Sequence, residues 1–267
     1  MPAFKITVAY DGSPFVGWQR QASGTSIQGL LEDALRELDR RDVAVAGAGR
    51  TDAGVHALGQ VAGFSLERAI DPETLVRAIN ARLPDAVRVQ SAAMVPPTFH
   101  VRFDARTKTY RYRIWNGDVL SPFERAYAWH VPGAMAVELM MNAARVLEGR
   151  HDFAAFQAAA TDTRTTERVI LASRVDGGLK PCTTSGASGA GLQACEGRLI
   201  SYEITGNGFL RHMVRTIVGT LVEIGRGRRP AEWIGAVLAS RDRAQAGPTA
   251  PAAGLFLVGV EYDPPIV

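Results

Sequence analysis

Strand-like and helix-like stretches follow one another in this chain without a fixed rhythm, and that irregularity constrains the fold more than any other feature. Regular alternation would build a parallel, doubly wound sheet. A mixed succession favours an α+β class, with a mixed, mainly antiparallel central sheet and helices packed on one side. Phe4 to Tyr10 alternates as a strand does and ends at the turn signal Asp11-Gly12. The following SPFVGWQRQASG reads as a loop in which Trp18 and Arg20 are predicted to be exposed. Thr25 and Gln28 form a capping-box pair, and Ile27, Leu30, Leu31, Ala34, Leu35 and Leu38 recur at three and four, which predicts a helix over 26–39. A short strand is predicted from Val43 to Ala46, a helix between Asp71-Pro72 and Pro84, and a strand from Val87 to Val95.

The stretch FHVRFDARTKTYRYRIW, Phe99 to Trp115, would exceed about 50 Å as a single strand. Two strands meeting near Asp104 to Thr107 are therefore expected. A helix follows from Ala134 to Leu147, then strands from Val169 to Val175 and from Arg198 to Thr205. Leu210, Met213, Val214, Ile217, Val218 and Leu221 give the segment 211–224 a helical apolar face, with Gly225 as its stop. PAEWIGAVLASRDR adds a short helix and LFLVGVEY a closing strand. Each half carries a strand, a glycine-bearing turn and a helix, as a distant duplication of a ferredoxin-like unit would, although no internal repeat is legible.

One stretch calls for chemistry. GAGRTDAGVHALGQ, Gly47 to Gln60, places Asp52 amid glycines at 47, 49, 54 and 59. Such glycines permit positive φ or close approach of the backbone to a neighbour. The phosphate-cradling readings fail: no lysine completes a GxxxxGK[ST] loop, and Asp52 stands where GxGxxG needs its third glycine. A carboxylate would also repel a phosphate. Asp52 either closes its own turn, a common use of Asp beside Gly, or does chemistry with Arg50 and His56 close by.

Two further groups are open in the same way. Tyr110 and Tyr112 share one face of a strand and Arg111 and Arg113 the other. The tyrosines serve either as cross-strand packing or as a platform on which a base stacks. Arg215 lies between apolar neighbours, sharing one side of its predicted helix with Gly208, His212 and Gly219. It either runs along the helix edge with its head in water or pairs with a buried carboxylate, whose anion it would preserve at neutral pH. His100, His130 and His151 are isolated and read as structural.

Composition narrows the partner. Thirty basic residues against 27 acidic ones leave a net charge of +3, and arginine dominates the basic set, which tilts toward nucleic acid. No apolar run approaches the roughly 18 residues that span a bilayer, and no leader precedes the first strand, so a cytoplasmic location is expected. Cys182 and Cys195 flank a Ser/Gly-rich stretch and read as free thiols in a loop rather than a disulfide. With two cysteines and five scattered histidines, no metal site is expected.

Taken in order along the chain, YDGSPFVGWQRQ, AGRTDAGVHALGQV, FHVRFDARTKTYRYRI, NGFLRHMVRTIVGTLVEIG and DRAQAGPTAPAAGLFLVGV resemble the tRNA pseudouridine synthase A family, the GRTDAGVHA core being the most specific. The insertion between about Asp176 and Glu196 departs from the family pattern by its length. The resemblance implies a pseudouridine synthase fold of two ferredoxin-like (RRM-like) halves, 1–104 carrying the aspartate loop and 105–267 completing the cleft. It implies isomerisation of uridine to pseudouridine at positions 38, 39 and 40 of the tRNA anticodon arm, by a homodimer without a cofactor. By the same resemblance Asp52 matches the essential aspartate and nucleophile, Tyr110 the base-stacking tyrosine and Arg215 the arginine paired with the aspartate. Arg50 matches the arginine that helps hold the base out of its stack, with Thr51 and His56 as further substrate-binding positions. Two other readings use the same residues: an RNA-binding protein without catalysis, and a hydrolase with Asp52 and His56 as acid and base.

Overall fold

The computed structural model describes residues 1–158, 165–178 and 197–263. The Ser/Gly-rich stretch, with Cys182 and Cys195, lies outside them. The chain divides into two compact units, Met1–Tyr110 with Phe256–Val267, and Arg111–Leu255. Its strands form a mixed, mostly antiparallel sheet accompanied by five helices among the described residues, an α+β arrangement.

The first unit runs β1 (Ala3–Tyr10), α1 (Ile27–Asp39), β2 (Ala46–Gly47), β3 (His56–Ser65), α2 (Pro72–Asn80), β4 (Val87–Val95) and the start of β5 (Ala105–Gly117). This is the β-α-β-β-α-β succession of a ferredoxin-like half. β1 sits between β3 and β4, antiparallel to both. Its even residues Phe4, Ile6, Val8 and Tyr10 are buried, as period two requires of a strand with one face on the core. Ile27, Leu31 and Leu35 of α1 are fully buried, and each contributes roughly 1.5–3 kcal/mol through burial.

The second unit continues through β5 into β6 (Trp129–His130), α3 (Val137–Arg145), β7 (Gly149–Asp152), β8 (Glu167–Asp176), β9 (Gly197–Gly206), α4 (Met213–Gly225) and α5 (Trp233–Ser240). β5, β9, β8 and β7 lie side by side in that order. The last strand, β10 (Leu255–Tyr262), returns to the first unit and runs parallel to β3, with Phe256 opposite His56. No helix among the described residues is long and apolar enough to cross a membrane.

Several sequence expectations need correction. Residues 99–104 form a turn, not a strand, because the His100 carbonyl accepts from the Phe103 and Asp104 amides while the Asp104 carboxylate accepts from the His100 amide. The cap of α1 is Ser26, one residue later than the expected Thr25, and its hydroxyl accepts from the Gly29 amide. The expected strand at 43–46 shrinks to Ala46–Gly47. Trp18 is buried, not exposed, because its indole fills the space that the missing side chain of Gly47 leaves. Arg20 is exposed as expected, its guanidinium held by Glu32, Asp33 and the Gly29 carbonyl. α4 begins at Met213, so Gly208 and His212 precede the helix and share no helical face with Arg215. Gly225 is the last helical residue rather than the stop, and a side chain there would collide with the sulfurs of Met135 and Met140.

Candidate active site

Asp52 stands on the loop that joins β2 to β3. The turn after it closes when the Val55 amide donates to the Asp52 carbonyl at 3.1 Å, and Gly54 supplies the positive φ of 75° that the turn needs. Upstream, the Gln60 side chain donates through Nε2 to the Gly49 carbonyl at 2.9 Å and the Ala48 amide donates to the Val61 carbonyl at 2.8 Å. Asp52 itself is half-buried, on a loop whose backbone is fixed on both sides.

The loop after β1 clasps it from the other side. Trp18 donates its amide to the Thr51 carbonyl at 3.0 Å. Gly17, at φ 106°, comes so close that a Cβ there would stand 2.7 Å from that same carbonyl oxygen. A Cβ on Gly12 would overlap the Val55 carbonyl. Gly12 and Gly17 therefore permit the close approach of two backbones around Asp52, while Gly47 leaves room for the Trp18 indole and Gly54 supplies the turn.

Thr51 is buried, and its hydroxyl lies 2.8 Å from the Tyr10 hydroxyl. Burial pushes the Tyr10 phenol up to about 12, against the hydrogen bonds from Thr51 and Gln60 that draw it down, so it keeps its proton at neutral pH. His56 is buried, with its ring stacked on Phe256 at 4.6 Å. Its Nδ1 accepts from the Gly12 amide at 3.0 Å and lies 3.1 Å from the Asp11 carboxylate. The histidine thus fastens the start of β3 to the loop after β1. Arg50 is exposed.

Tyr110, on β5, is buried near this loop. Burial, then the neighbouring Tyr10, then the Asp52 charge all push its phenol above the ordinary range, so it is neutral and presents a ring beside a carboxylate. Lys108, two residues earlier on the same face, lies over Gly49, its ammonium 3.9 Å from where a Cβ would be. Tyr112 does something else. Its hydroxyl donates to the Pro251 carbonyl at 2.8 Å and its ring meets Trp129 edge-on, so it anchors the second unit. Arg111 and Arg113 pair with Glu203 and Glu124, each at 2.8 Å.

Arg215 belongs to the second unit, on α4. Its Nε donates to the Ala250 carbonyl at 2.7 Å, and the Ala250 amide donates back to the Arg215 carbonyl at 3.1 Å. The head is therefore gripped by backbone rather than trailing along the helix edge. Of the site residues read from sequence, Arg50, Thr51, Asp52, His56 and Tyr110 fall together in the first unit, and Arg215 falls in the second. Sequence reasoning did not foresee the segment around Ala250 that holds Arg215, although its run of Gly, Pro and Ala marks irregular backbone.

A family model described as tRNA pseudouridine synthase matches residues 6–104 and 143–263. In class, then, the chain is an isomerase with the α+β fold of pseudouridine synthases. It is 45% identical over 262 residues to a tRNA pseudouridine synthase A of Myxococcus xanthus, covering 98% of this chain and 92% of the relative. It is 46% identical over 267 residues to one of Solibacter usitatus (98% and 100% covered) and 44% identical over 264 residues to one of Moorella thermoacetica (98% and 100%). The chain belongs to the tRNA pseudouridine synthase A family.

Proposed function

We propose that this protein isomerises uridine to pseudouridine at positions 38, 39 and 40 of the tRNA anticodon stem-loop, with Asp52 as the nucleophile. Family membership supports the reaction on tRNA, and the observation that carries the assignment of Asp52 is its carboxylate on a loop clasped by backbone contacts on both sides. The reaction breaks the bond from C1′ to N1 of uracil, turns the base, and joins C1′ to C5; the hydrogen on C5 leaves as a proton and N1 gains one. An anionic oxygen bonded to one fragment holds the broken nucleoside together during the turn.

A base within a stem must leave its stack first, at a cost of a few kcal/mol. In this reading Tyr110 stacks on the extruded uracil, which the neutral, buried phenol beside Asp52 suits, and Arg50 reaches from the loop to keep the base out. Thr51 and His56 act on the substrate through the shape of the loop they fasten. Arg215 pairs with Asp52 in the tRNA complex and keeps it ionised; that pairing comes from the family resemblance. The enzyme works without a cofactor, as a cytoplasmic homodimer.

The test uses anticodon stem-loops that retain a single uridine at position 38, 39 or 40. Pseudouridine is expected in each of the three. A loop lacking all three that is still modified, or three loops left unmodified, would overturn the positional assignment. Wild-type turnover by both Tyr110→Phe and Arg215→Ala would remove those two from the mechanism.

A further inference from the structure

The segment 246–254, AGPTAPAAG, crosses α4 at the closest approach the backbone allows. A Cβ on Gly219 would overlap the Pro248 carbonyl, and one on Gly247 would stand 2.7 Å from the amide nitrogen of Thr220. The Gly247 amide donates to the Thr220 hydroxyl at 3.0 Å, which itself donates to the Thr216 carbonyl at 2.9 Å. At the far end the Tyr112 hydroxyl holds the Pro251 carbonyl. Between these ends lies Ala250, whose carbonyl accepts from Arg215 Nε.

Arg243 grips the middle. One guanidinium nitrogen donates to the Gly247 carbonyl and the other to the Thr249 hydroxyl, each at 3.0 Å, so the planar fork spans Pro248 from both sides. We propose that Arg243 is a positioning residue for the isomerisation: it sets the Ala250 carbonyl, and through it the plane in which Arg215 presents its remaining N–H groups. This rests on the reading of Arg215 given above. Once Nε is committed to one carbonyl, the position of that carbonyl constrains the direction in which the planar guanidinium faces. The grip of Arg243 on Thr249 and that of Tyr112 on Pro251 flank Ala250 on either side, and Arg243 supplies the hold on the side of α4.

The test measures single-turnover tritium release from tRNA labelled at uridine C5, together with tRNA binding and thermal melting, for Arg243→Ala, Arg215→Ala and the double variant. Arg243→Ala is expected to slow turnover about tenfold or more with tRNA affinity within about twofold of wild type. On the Arg215→Ala background the same change is expected to slow it less than about twofold, since its effect passes through Arg215. Thr249→Val removes one arm of the fork and is expected to give a smaller loss of the same kind, which keeps the test open if Arg243→Ala fails to fold. Wild-type turnover by Arg243→Ala or Thr249→Val, or an equal fold-loss by Arg243→Ala in both backgrounds, would overturn the proposal. Wild-type turnover by Arg215→Ala alone would instead overturn the reading of Arg215, and this proposal with it.

Discussion

Replacing Tyr10 by Phe removes one oxygen from a buried pair that fixes the backbone immediately before Asp52. The Tyr10 and Thr51 hydroxyls are 2.8 Å apart, with both side chains buried, and Gln60 adds a second hydrogen bond to the phenol. Without the phenol oxygen the Thr51 hydroxyl is left short of its partner in a place water does not reach. Such a group costs about 1–3 kcal/mol. At about 2 kcal/mol the melting temperature falls by roughly 4–8 °C for a chain of this size. Thr51→Val is expected to cost less, since the phenol keeps Gln60. Combining the two removes both ends at once, so the double variant is expected to be more stable than the sum of the single losses implies, by about 1 kcal/mol.

Activity reads the same contact independently. Thr51 also accepts from Trp18 through its carbonyl, so its two anchors define where Asp52 begins. A misplacement of about 1 Å at a reacting group costs on the order of a hundredfold in rate. Tyr10→Phe is therefore expected to slow tritium release at temperatures where it remains folded. Urea melts of the four proteins and single-turnover assays at 20 °C or so measure both effects. Strictly additive stabilities would refute the buried pair, and full activity in a destabilised Tyr10→Phe would refute its role in placing Asp52.

Three further expectations follow from the packing. The Thr216 hydroxyl is buried without a hydrogen-bond partner among the described residues, so Thr216→Val is expected to leave the melting temperature unchanged or raise it. Gly219→Ala forces α4 and the Pro248 segment apart and is expected to cost about 1–3 kcal/mol in a urea melt, with slower turnover because Arg215 loses its hold. Burial raises the phenols of Tyr10, Tyr110, Tyr112, Tyr202 and Tyr262 above their ordinary value. Since the unfolded chain then releases these protons more readily, the phenols' contribution to stability is level below about pH 10 and is lost as pH rises through 10 toward 12. A tyrosine absorbance titration is expected to show those phenols ionising with unfolding rather than before it.

The sequence made the aspartate legible because glycines and a lone carboxylate advertise irregular backbone with a charge on it. Periodicity likewise revealed β1, α1, β4 and the buried face of α4, whose Met213, Val214, Ile217, Val218 and Leu221 are all buried, as is Leu210 just before it. The misses have local causes. Thr25 and Ser26 are equally good capping types, and the choice between them rests on tertiary contacts: the Gln28 carboxamide, expected to complete the cap, instead accepts from the Arg20 amide and donates to the Val45 carbonyl. β3 was unforeseen because Gly59, Gln60, Val61 and Ala62 are buried in succession, which erases alternation. FHVRF mimics a strand, yet Phe103 is 75% exposed at the tip of a turn. The hold on Arg215 was hidden for another reason: it comes from a main-chain carbonyl 35 residues away, and carbonyls leave no mark on a sequence.

The most direct test of the account is tritium release from tRNA labelled at uridine C5, comparing wild type with Asp52→Asn. Only rejoining through C5 expels that hydrogen into water. Release by the wild type and none by Asp52→Asn, with tRNA still bound by both, is the result the account requires. Release by Asp52→Asn at the wild-type rate would contradict the role of Asp52, and no release by a wild type that binds tRNA would contradict the isomerisation itself.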